Sequence, residues 1–230
     1  MKEPLLGKGI YSIGEASRLT GVPAQTIRRW VKGYDFKTGS SPPVWTKDIP
    51  DIGHTSALSF LDLMEVRFVN VFRVRGVSWP TIREAARRAA KLFNNNHPFA
   101  TKRFLTDGRS IFAELISETG ERHLLDIVKN QYAFRQVISR EFRKGLEFST
   151  DGHLLRWWPL GQNKAVVIDP ERSFGHPIIA KEGVRTSVLA QAYNAEGSVI
   201  TVAKWFEVDR KAVENAIAYE KKLAQGLKAA

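Results

Sequence analysis

Cysteine and long apolar runs are both missing from this chain of 230 residues. Without cysteine the protein has no disulfides and no thiolate metal sites, and the lack of disulfides agrees with a protein of the cytosol. Its apolar stretches fall short of the roughly 20 residues that cross a membrane, and its first residues do not have the pattern of a signal peptide. We therefore expect a cytoplasmic protein that does not enter a membrane.

Catalytic and metal-binding patterns are missing as well. No histidine is followed by a second ligand-type residue at a metal spacing, and no Ser-His-Asp arrangement can be read from the order of the residues. The sequence therefore predicts no enzyme activity, no metal site and no cofactor. The histidines, which we expect to be either satisfied in a core or exposed, are His54, His97, His123, His153 and His176.

Positive charge is abundant and unevenly placed. The chain has 35 Lys and Arg against 24 Asp and Glu, a net charge of +11. Most of this excess lies in the first 100 residues, with the remainder spread thinly over the rest. A polyanion is the natural partner of such a region, and the phosphate backbone of duplex DNA is the polyanion that we expect.

The segment Tyr11–Trp30 is typical of a helix-turn-helix. Ser12 and Glu15 have the Ser-x-x-Glu spacing of a capping box, which marks the start of a first helix. Gly21 then permits a sharp turn before a second helix. Two short helices joined in this way form a DNA-binding motif in which the second helix enters the groove.

The second helix is therefore the candidate reader of base edges. Its spacing turns Ile27 and Trp30 inward and leaves Gln and Arg side chains outward, the types that read bases in the major groove. The alternative is a helical hairpin buried in a larger fold. The predicted DNA-binding residues here are Gln25, Thr26, Arg28 and Arg29.

A second basic region covers residues 66–91, which hold seven Arg and Lys against one acid, Glu84. A solvated helix face is one interpretation of such a run, and contact with DNA phosphates is the one that we favour. The predicted phosphate-binding residues are Arg83, Arg87 and Arg88.

The N-terminal residues are similar to the start of the MerR family of winged helix-turn-helix regulators. The motifs that carry the similarity are Tyr11-x-Ile13-x-Glu15-Ala16, Leu19-x-Gly21-Val22 and Thr26-Ile27-Arg28. The similarity implies a winged loop and then another pair of helices. Residues 33–57 have the Gly, Ser, Pro and Asp content of a loop or wing. The apolar faces of the two helices that follow are predicted at Leu61, Met64, Phe68 and Val71, and at Ile82, Ala85, Ala89 and Phe93.

The pattern changes from helical to strand-like after residues 94–98, which we interpret as a break between domains. Short strand patterns with turn signals such as Asp107-Gly108 and Asp151-Gly152 then predict a small α+β domain rich in strands. The strand patterns lie at 104–116, 123–128, 146–159 and 165–168, and a helical pattern lies at 130–144.

The last 50 residues predict three short helices. Thr186, Ser198 and Asp209 are the predicted caps, and Gly197 is predicted to end the first helix. Three helices with a tight turn before the third make a homeodomain-like arrangement. Whether this unit contacts DNA, or serves only for dimerisation or partner binding as its low net charge favours, stays open.

The rest of the chain resembles bacterial antitoxins. Its middle is similar to a subfamily of VapB-type antitoxins, on Arg103-Phe104-x-Thr106-Asp107-Gly108-Arg109, Arg156-Trp157-Trp158-Pro159-x-Gly161 and Asp169-Pro170-x-Arg172-x-Phe174-Gly175. Its end resembles a small helical domain common in such proteins, on Gly175-x-Pro177-Ile178, Gly183-Val184-Arg185-Thr186 and Val202-Ala203-x-Trp205-Phe206. The resemblance implies an antitoxin of a type II toxin–antitoxin pair, which neutralises a PIN-like ribonuclease toxin and represses its own promoter.

The residues expected to hold the toxin combine arginine with tryptophan. An Arg beside two Trp residues has the composition of an interface anchor, although one Trp should be core because adjacent strand residues face opposite sides. The resemblance also implies a toxin site of carboxylates, which the planar guanidinium of Arg fits better than Lys does. The predicted toxin-binding residues are Arg156, Trp157, Trp158, Arg172 and Arg185.

These observations predict an α+β multidomain protein. Its predicted parts are a winged helix-turn-helix domain (1–95), a central α+β domain (96–172) and a three-helix domain (173–230). We expect a homodimer on its own operator, since paired half-sites need a two-fold partner. The alternatives are a stand-alone MerR-like regulator that responds to a small ligand, and a DNA-bridging protein without sequence preference.

Overall fold

The computed structural model describes residues 7–51, 53, 55–74, 76–104, 111, 145–163 and 165–228. The chain divides into two compact units. The N-terminal unit holds residues 11–143 and 148–154, and the C-terminal unit holds residues 1–10, 144–147 and 155–230. The division into three domains at 95/96 and 172/173 stays a prediction.

The N-terminal unit contains helices and two small antiparallel sheets. Its helices are α1 (Ile13–Thr20), α2 (Ala24–Lys32), α3 (Phe60–Val74) and α4 (Trp79–Phe93). Its strands are β1 (Tyr11–Ser12), β2 (Tyr34–Phe36), β3 (Gly39–Ser41) and β4 (Ala57–Leu58). Strand β1 pairs with β4, and β2 pairs with β3 in a hairpin. Both predicted pairs of helices are therefore present.

The start of α1 is fixed by the predicted capping box. The backbone N–H of Ser12 donates to Glu15 Oε2 at 2.8 Å, and the N–H of Glu15 donates to Ser12 Oγ at 3.1 Å. Gly21 ends the helix in the left-handed region, with φ 72°. The capping box and the turn are both confirmed, since these contacts depend on residues within a few positions of one another.

Helix α3 is buried on more sides than its apolar spacing predicts. Leu61 and Val71 are only half-buried, whereas the acids Asp62 and Glu65 are buried. The cause is that β4, α1 and α4 all pack against this helix. The buried apolar residues of α3 are Phe60, Leu63, Met64, Val66, Phe68, Val69 and Phe72.

The segment 94–98 forms turns and bends after α4. Asn94 ends α4 with φ 49°, and residues 97–100 return to the core of the same unit. The rings of Phe99 and Phe104 stack edge to face against Phe72, with centroids 5.2 and 6.0 Å away. Residues 102–104 and 111 are helical, so the strand predicted over 104–116 is wrong at Phe104 and Ile111. The predictions for 105–110, 112–116, 123–128 and 130–144 lie outside the described residues.

The C-terminal unit is built from short strands followed by three helices. The strands are β5 (Leu146–Phe148), β6 (Leu154–Trp157), β7 (Val166–Val167) and β8 (Ile178–Ile179). The helices are α5 (Thr186–Glu196), α6 (Val199–Trp205) and α7 (Arg210–Lys228), and short 3₁₀ turns cover Gly161–Asn163 and Ser173–Gly175. Strands β5 and β6 form the hairpin predicted around Asp151-Gly152, whose tip is counted with the N-terminal unit.

The core of the C-terminal unit is apolar. Val166, Ile179, Leu189, Val202 and Val213 pack together from β7, β8 and all three helices. The predicted end of α5 at Gly197 and the cap of α6 at Ser198 are confirmed. The cap predicted at Thr186 is wrong, because α5 begins at this residue and its hydroxyl donates to Glu220 Oε1 at 2.6 Å. No described helix is long and apolar enough to cross a membrane.

Candidate nucleic-acid interface

The outward face of α2 carries the residues predicted to read bases. Gln25, Arg28 and Arg29 are exposed, and Thr26 is half-buried. The opposite face is fixed in the core, where Trp30 stacks edge to face against Trp79 with centroids 5.5 Å apart. The helix therefore presents two guanidinium groups and an amide from a rigid support.

The hairpin of β2 and β3 forms a wing directly after α2. Tyr34 is 42% exposed and Phe36 is 50% exposed, and their rings lie 6.1 Å apart. The guanidinium of Arg29 lies 5.5 Å from the centre of the Tyr34 ring, within the range of a cation–π contact. The sequence predicted a loop or wing over 33–57 but not these aromatic residues, whose exposure depends on the hairpin.

The wing is held tightly at its base. Gly33 has φ 73°, and a Cβ at this position would lie 2.4 Å from the backbone oxygen of Ser41. The hydroxyl of Ser41 accepts from Arg83 Nη2 at 2.6 Å, and the N–H of Val44 donates to the carbonyl of Trp30 at 2.8 Å. These contacts join α2, the wing and α4, so that the orientation of the wing is set by the fold.

The three arginines predicted to bind phosphates have different surroundings on α4. Arg83 is half-buried, lies over the ring of Trp79 and donates to Ser41 at the end of the wing, so it supports the wing. Arg87 and Arg88 both donate to Glu84, and the hydrogen bonds from these two guanidinium groups lower the pKa of Glu84 to about 2. Arg87 is exposed and Arg88 is half-buried. Their contact with phosphate stays a prediction.

A buried acid–histidine pair joins α3 to the segment before it and to the segment that follows α4. Asp62 Oδ1 accepts from Trp45 Nε1 at 2.7 Å and lies 3.0 Å from His97 Nε2, and Oδ2 accepts from the N–H of Ser59 at 2.8 Å. Burial opposes the charge of both partners, yet their contact lowers the pKa of Asp62 and raises that of His97.

Asp48 extends this pair toward solvent. With Asp62 and His97 it forms a group whose ligand-type atoms lie within 4.8 Å of one another. Both carboxylate oxygens of Asp62 already take part in hydrogen bonds within the protein. These bonds explain why the three residues lie together, as a structural cluster of charged groups. The sequence pattern missed it because the partners are separated by up to 49 positions along the chain.

Glu65 is a second buried acid next to this pair. Its Oε1 accepts from the N–H groups of Phe99 at 2.8 Å and Ala100 at 3.0 Å, while its Oε2 has no hydrogen-bond partner among the described residues. Burial raises the pKa of Glu65 to about 8. The side chain is therefore mostly protonated at neutral pH, and it holds residues 99–100 against α3.

The residues predicted to hold a toxin lie in the C-terminal unit and make contacts within it. Trp157 is buried and Trp158 is half-buried, with its Nε1 donating to Glu147 Oε2 at 2.8 Å. Arg156 lies between Glu147 and Asp169, at 3.9 and 3.5 Å. Arg172 and Arg185 donate to backbone and side-chain oxygens of neighbouring turns. Their role in toxin binding stays a prediction.

Two family matches cover parts of the chain. Residues 9–86 match a family described as "Putative DNA-binding HTH domain", and residues 166–219 match one described as "Protein of unknown function (DUF433)". The first match covers the helix-turn-helix, the wing, α3 and about half of α4, and the second covers most of the three-helix region.

Relatives from Mycobacterium tuberculosis match most of the chain. A protein named "Putative antitoxin VapB45" is 26% identical over 90% of this chain and 92% of its own length. The uncharacterized protein Rv2308 is 25% identical over 95% and 92%. The crystal structure of Rv2018 has a TM-score of 0.71 at 25% identity and covers 90% of this chain and 96% of that one. These matches support an antitoxin-like helix-turn-helix protein. The similarity to the MerR family stays a prediction.

Proposed function

We propose that this protein is a DNA-binding antitoxin that represses its own promoter and neutralises a PIN-like ribonuclease toxin, acting as a homodimer. The observation that carries the DNA-binding part is the exposed face of α2, with Gln25, Arg28 and Arg29 beside the aromatic wing. Bases are read by Arg and Gln from a helix in the major groove, and the wing and the α4 arginines would contact the backbone. The similarity to VapB45 supports the antitoxin part.

The DNA-binding part is tested by titrating the full chain with two duplexes of equal length and composition. One duplex is taken from upstream of its own gene and the other is scrambled. Arg28→Ala is expected to weaken binding to the first by about 1–3 kcal/mol and to leave binding to the second nearly unchanged. Arg210→Ala on α7 is the matched control, an exposed arginine removed outside the proposed interface. Equal losses on both duplexes would show that Arg28 contacts only phosphates.

The antitoxin part is tested with the protein encoded by the adjoining reading frame. This protein is expected to arrest growth when expressed alone and to be neutralised by co-expression of the full chain. A neighbour that is harmless alone, or that does not co-purify with the chain, would contradict this part of the proposal while leaving DNA binding intact.

A second candidate function, a regulator that responds to a small ligand, is favoured by a cavity in the N-terminal unit. The cavity has a volume of about 390 Å³ and lies between residues 42–46 and α4, with Trp45, Arg83 and Ala86 in its lining. Its apolar walls beside a guanidinium suit a small organic anion. A ligand retained during purification, together with the absence of a partner protein, would favour this function over the first.

A further inference from the structure

Three exposed basic side chains of α2 have different neighbours. The side chain of Arg28 makes no hydrogen bond, ion pair or ring contact with another described residue. The ammonium of Lys32 lies 2.9 Å from Asp51 Oδ2 in an ion pair. Arg29 instead meets an aromatic ring, with its guanidinium carbon 5.5 Å from the centre of the Tyr34 ring. Of these three side chains, that of Arg29 is therefore restrained by a contact that does not neutralise its charge.

The turn after α2 places this ring over the guanidinium. Gly33 ends the helix with φ 73°, and its N–H donates to the carbonyl of Arg29 at 3.0 Å. The chain turns back here, so that Tyr34 is the first residue of β2. Tyr34 pairs across the hairpin with Ser41, whose hydroxyl accepts from Arg83 at 2.6 Å. The ring thus belongs to the part of the wing whose position is set by α4.

A ring contact restrains a guanidinium without using its hydrogen-bond donors. The attraction joins the cation to the negative face of the ring, so the five N–H donors of the side chain stay available. Arginine reads guanine by two parallel hydrogen bonds to O6 and N7, which require the guanidinium plane to be oriented correctly. Restraint before binding reduces the conformational entropy that is lost when these bonds form.

Packing within the protein does not account for the aromatic ring at this position. Tyr34 is 42% exposed, and all three residues of β2 are exposed. Phe36 lies two positions further on the same face of the strand, 50% exposed and with its ring 6.1 Å from that of Tyr34. Among the described residues, Phe36 has no guanidinium over its ring. The two aromatic residues of the wing therefore differ in the contact with Arg29.

We infer that Tyr34 is a positioning residue that orients Arg29 toward a guanine of the operator, so that the wing sets part of the sequence specificity of α2. This inference rests on the proposed DNA-binding function. The partner is duplex DNA with a G·C pair at the position that Arg29 faces. Arg29 makes the base contact, and Tyr34 acts through Arg29.

The experiment uses the full chain and a set of duplexes. The set contains the duplex from upstream of its own gene, versions of it in which each base pair in turn is replaced, and the scrambled duplex. Arg29→Ala identifies the base pair that Arg29 reads, as the pair whose replacement no longer changes the affinity. The preference for guanine at this pair is then measured for Tyr34→Phe, for Tyr34→Leu and for the matched control Phe36→Leu.

A further variant carries pentafluorophenylalanine at position 34. Its ring has the shape of phenylalanine, but the fluorine atoms withdraw electrons, so that the face of the ring no longer attracts a cation. This variant separates the cation–π contact from every role that depends on the size of the ring. If Tyr34→Leu does not fold, the fluorinated ring supplies the same test.

Tyr34→Leu and the fluorinated ring are expected to reduce the preference for guanine about three- to tenfold and to leave binding to the scrambled duplex nearly unchanged. Tyr34→Phe should keep the preference, because its ring still attracts the cation, and Phe36→Leu should keep it as well. In a double-mutant cycle, Tyr34→Leu should cost nothing further once Arg29 is alanine. The melting temperature should stay within about 2 °C in all of these variants.

The outcomes separate this inference from the proposed function. If the unchanged chain binds its own upstream duplex no better than the scrambled one, the proposed sequence-specific binding fails and the inference fails with it. If the chain discriminates and the fluorinated ring leaves the preference intact, the inference alone is overturned. It is also overturned if Arg29→Ala changes the preference at no base pair. An equal loss on all duplexes that persists when Arg29 is alanine would overturn it by showing that Tyr34 contacts DNA directly.

Discussion

The helical regions at the two ends of the chain share a local pattern but differ in what they expose. In both, a short helix, a tight turn and a second helix surround an apolar core. The outward face of α2 has Gln25, Arg28 and Arg29 and is followed by a wing. Helix α7 instead exposes charges of both signs, such as Lys211, which donates to Glu214 at 3.2 Å. The comparison teaches that similar helix pairs differ in their turns and surfaces. Helix α1 ends at Gly21 with φ 72°, α6 ends at Phe206 with φ −98°, and α2 is followed by a wing.

The largest effect is expected from breaking the wing, which the C-terminal helices lack. Gly33→Ala places a Cβ against the oxygen of Ser41 in an unfavourable φ region, and we expect a cost of about 1–3 kcal/mol and a matching loss of DNA affinity. Thermal unfolding and a DNA titration measure both. Gly14→Ala is the control, because Gly14 lies in α1 and an added Cβ would make only ordinary contact with Ser12 Oγ at 3.8 Å, so it should gain about 0.5–1 kcal/mol. An unchanged affinity in Gly33→Ala would remove the wing from the interface.

A smaller effect concerns pH and should be confined to the N-terminal unit. The pKa of Glu65 rises from 4.5 to about 8 on folding. Between these two pH values the folded state holds a proton on Glu65 that the unfolded state has lost, so the free energy of unfolding falls as pH rises from 4.5 to 8. The raised pKa of His97 also lowers stability as pH rises above 6.5, its unfolded value. The lowered pKa of Asp62 affects stability only below pH 3.8, where stability is lost as pH falls.

The loss from Glu65 alone is at most about 1.4 kcal/mol for each pH unit, or about 3–6 °C in melting temperature. Glu65→Gln, which keeps an acceptor for Phe99 and Ala100, should flatten the dependence between pH 6 and 8. Hydrogen exchange resolves which unit responds. The apolar core around Leu189 and Val213 is expected to be insensitive in this range, and equal sensitivity in both units would contradict this difference.

A still smaller effect is expected at Arg87, which shares Glu84 with Arg88. Arg87→Gln should weaken binding to specific and scrambled duplexes alike and reduce the slope of log affinity against log salt by about 1. Titrations at several salt concentrations measure this slope. A loss limited to the specific duplex would instead assign Arg87 to base reading.

The smallest effect is expected on α7. Replacing Lys211 and Lys222 by Gln should leave DNA affinity unchanged, because both lysines lie on α7, outside the proposed interface of α2 and the wing. A drop in affinity comparable with that of Arg28→Ala would break the comparison, since it would show a second DNA-binding surface in the C-terminal unit.

The sequence by itself determined the features that depend on near neighbours. The capping box of Ser12 and Glu15, the helix ends at Gly21 and Gly197 and the inward face of α4 follow from residues a few positions apart, and all are present in the structure. The outward direction of Arg28 follows from the helical repeat in the same way.

Only the tertiary structure decided the features that depend on distant partners. Arg83 and Arg87 look alike in the sequence, yet one supports Ser41 in the wing and the other lies exposed beside Glu84. The buried acids of α3 are possible because Trp45, His97 and the N–H groups of residues 99–100 come from other parts of the chain. The left-handed conformation of Phe174 likewise depends on Ile10 and Arg185. Local pattern cannot indicate such contacts, because they exist only once the chain has folded and brought those groups together.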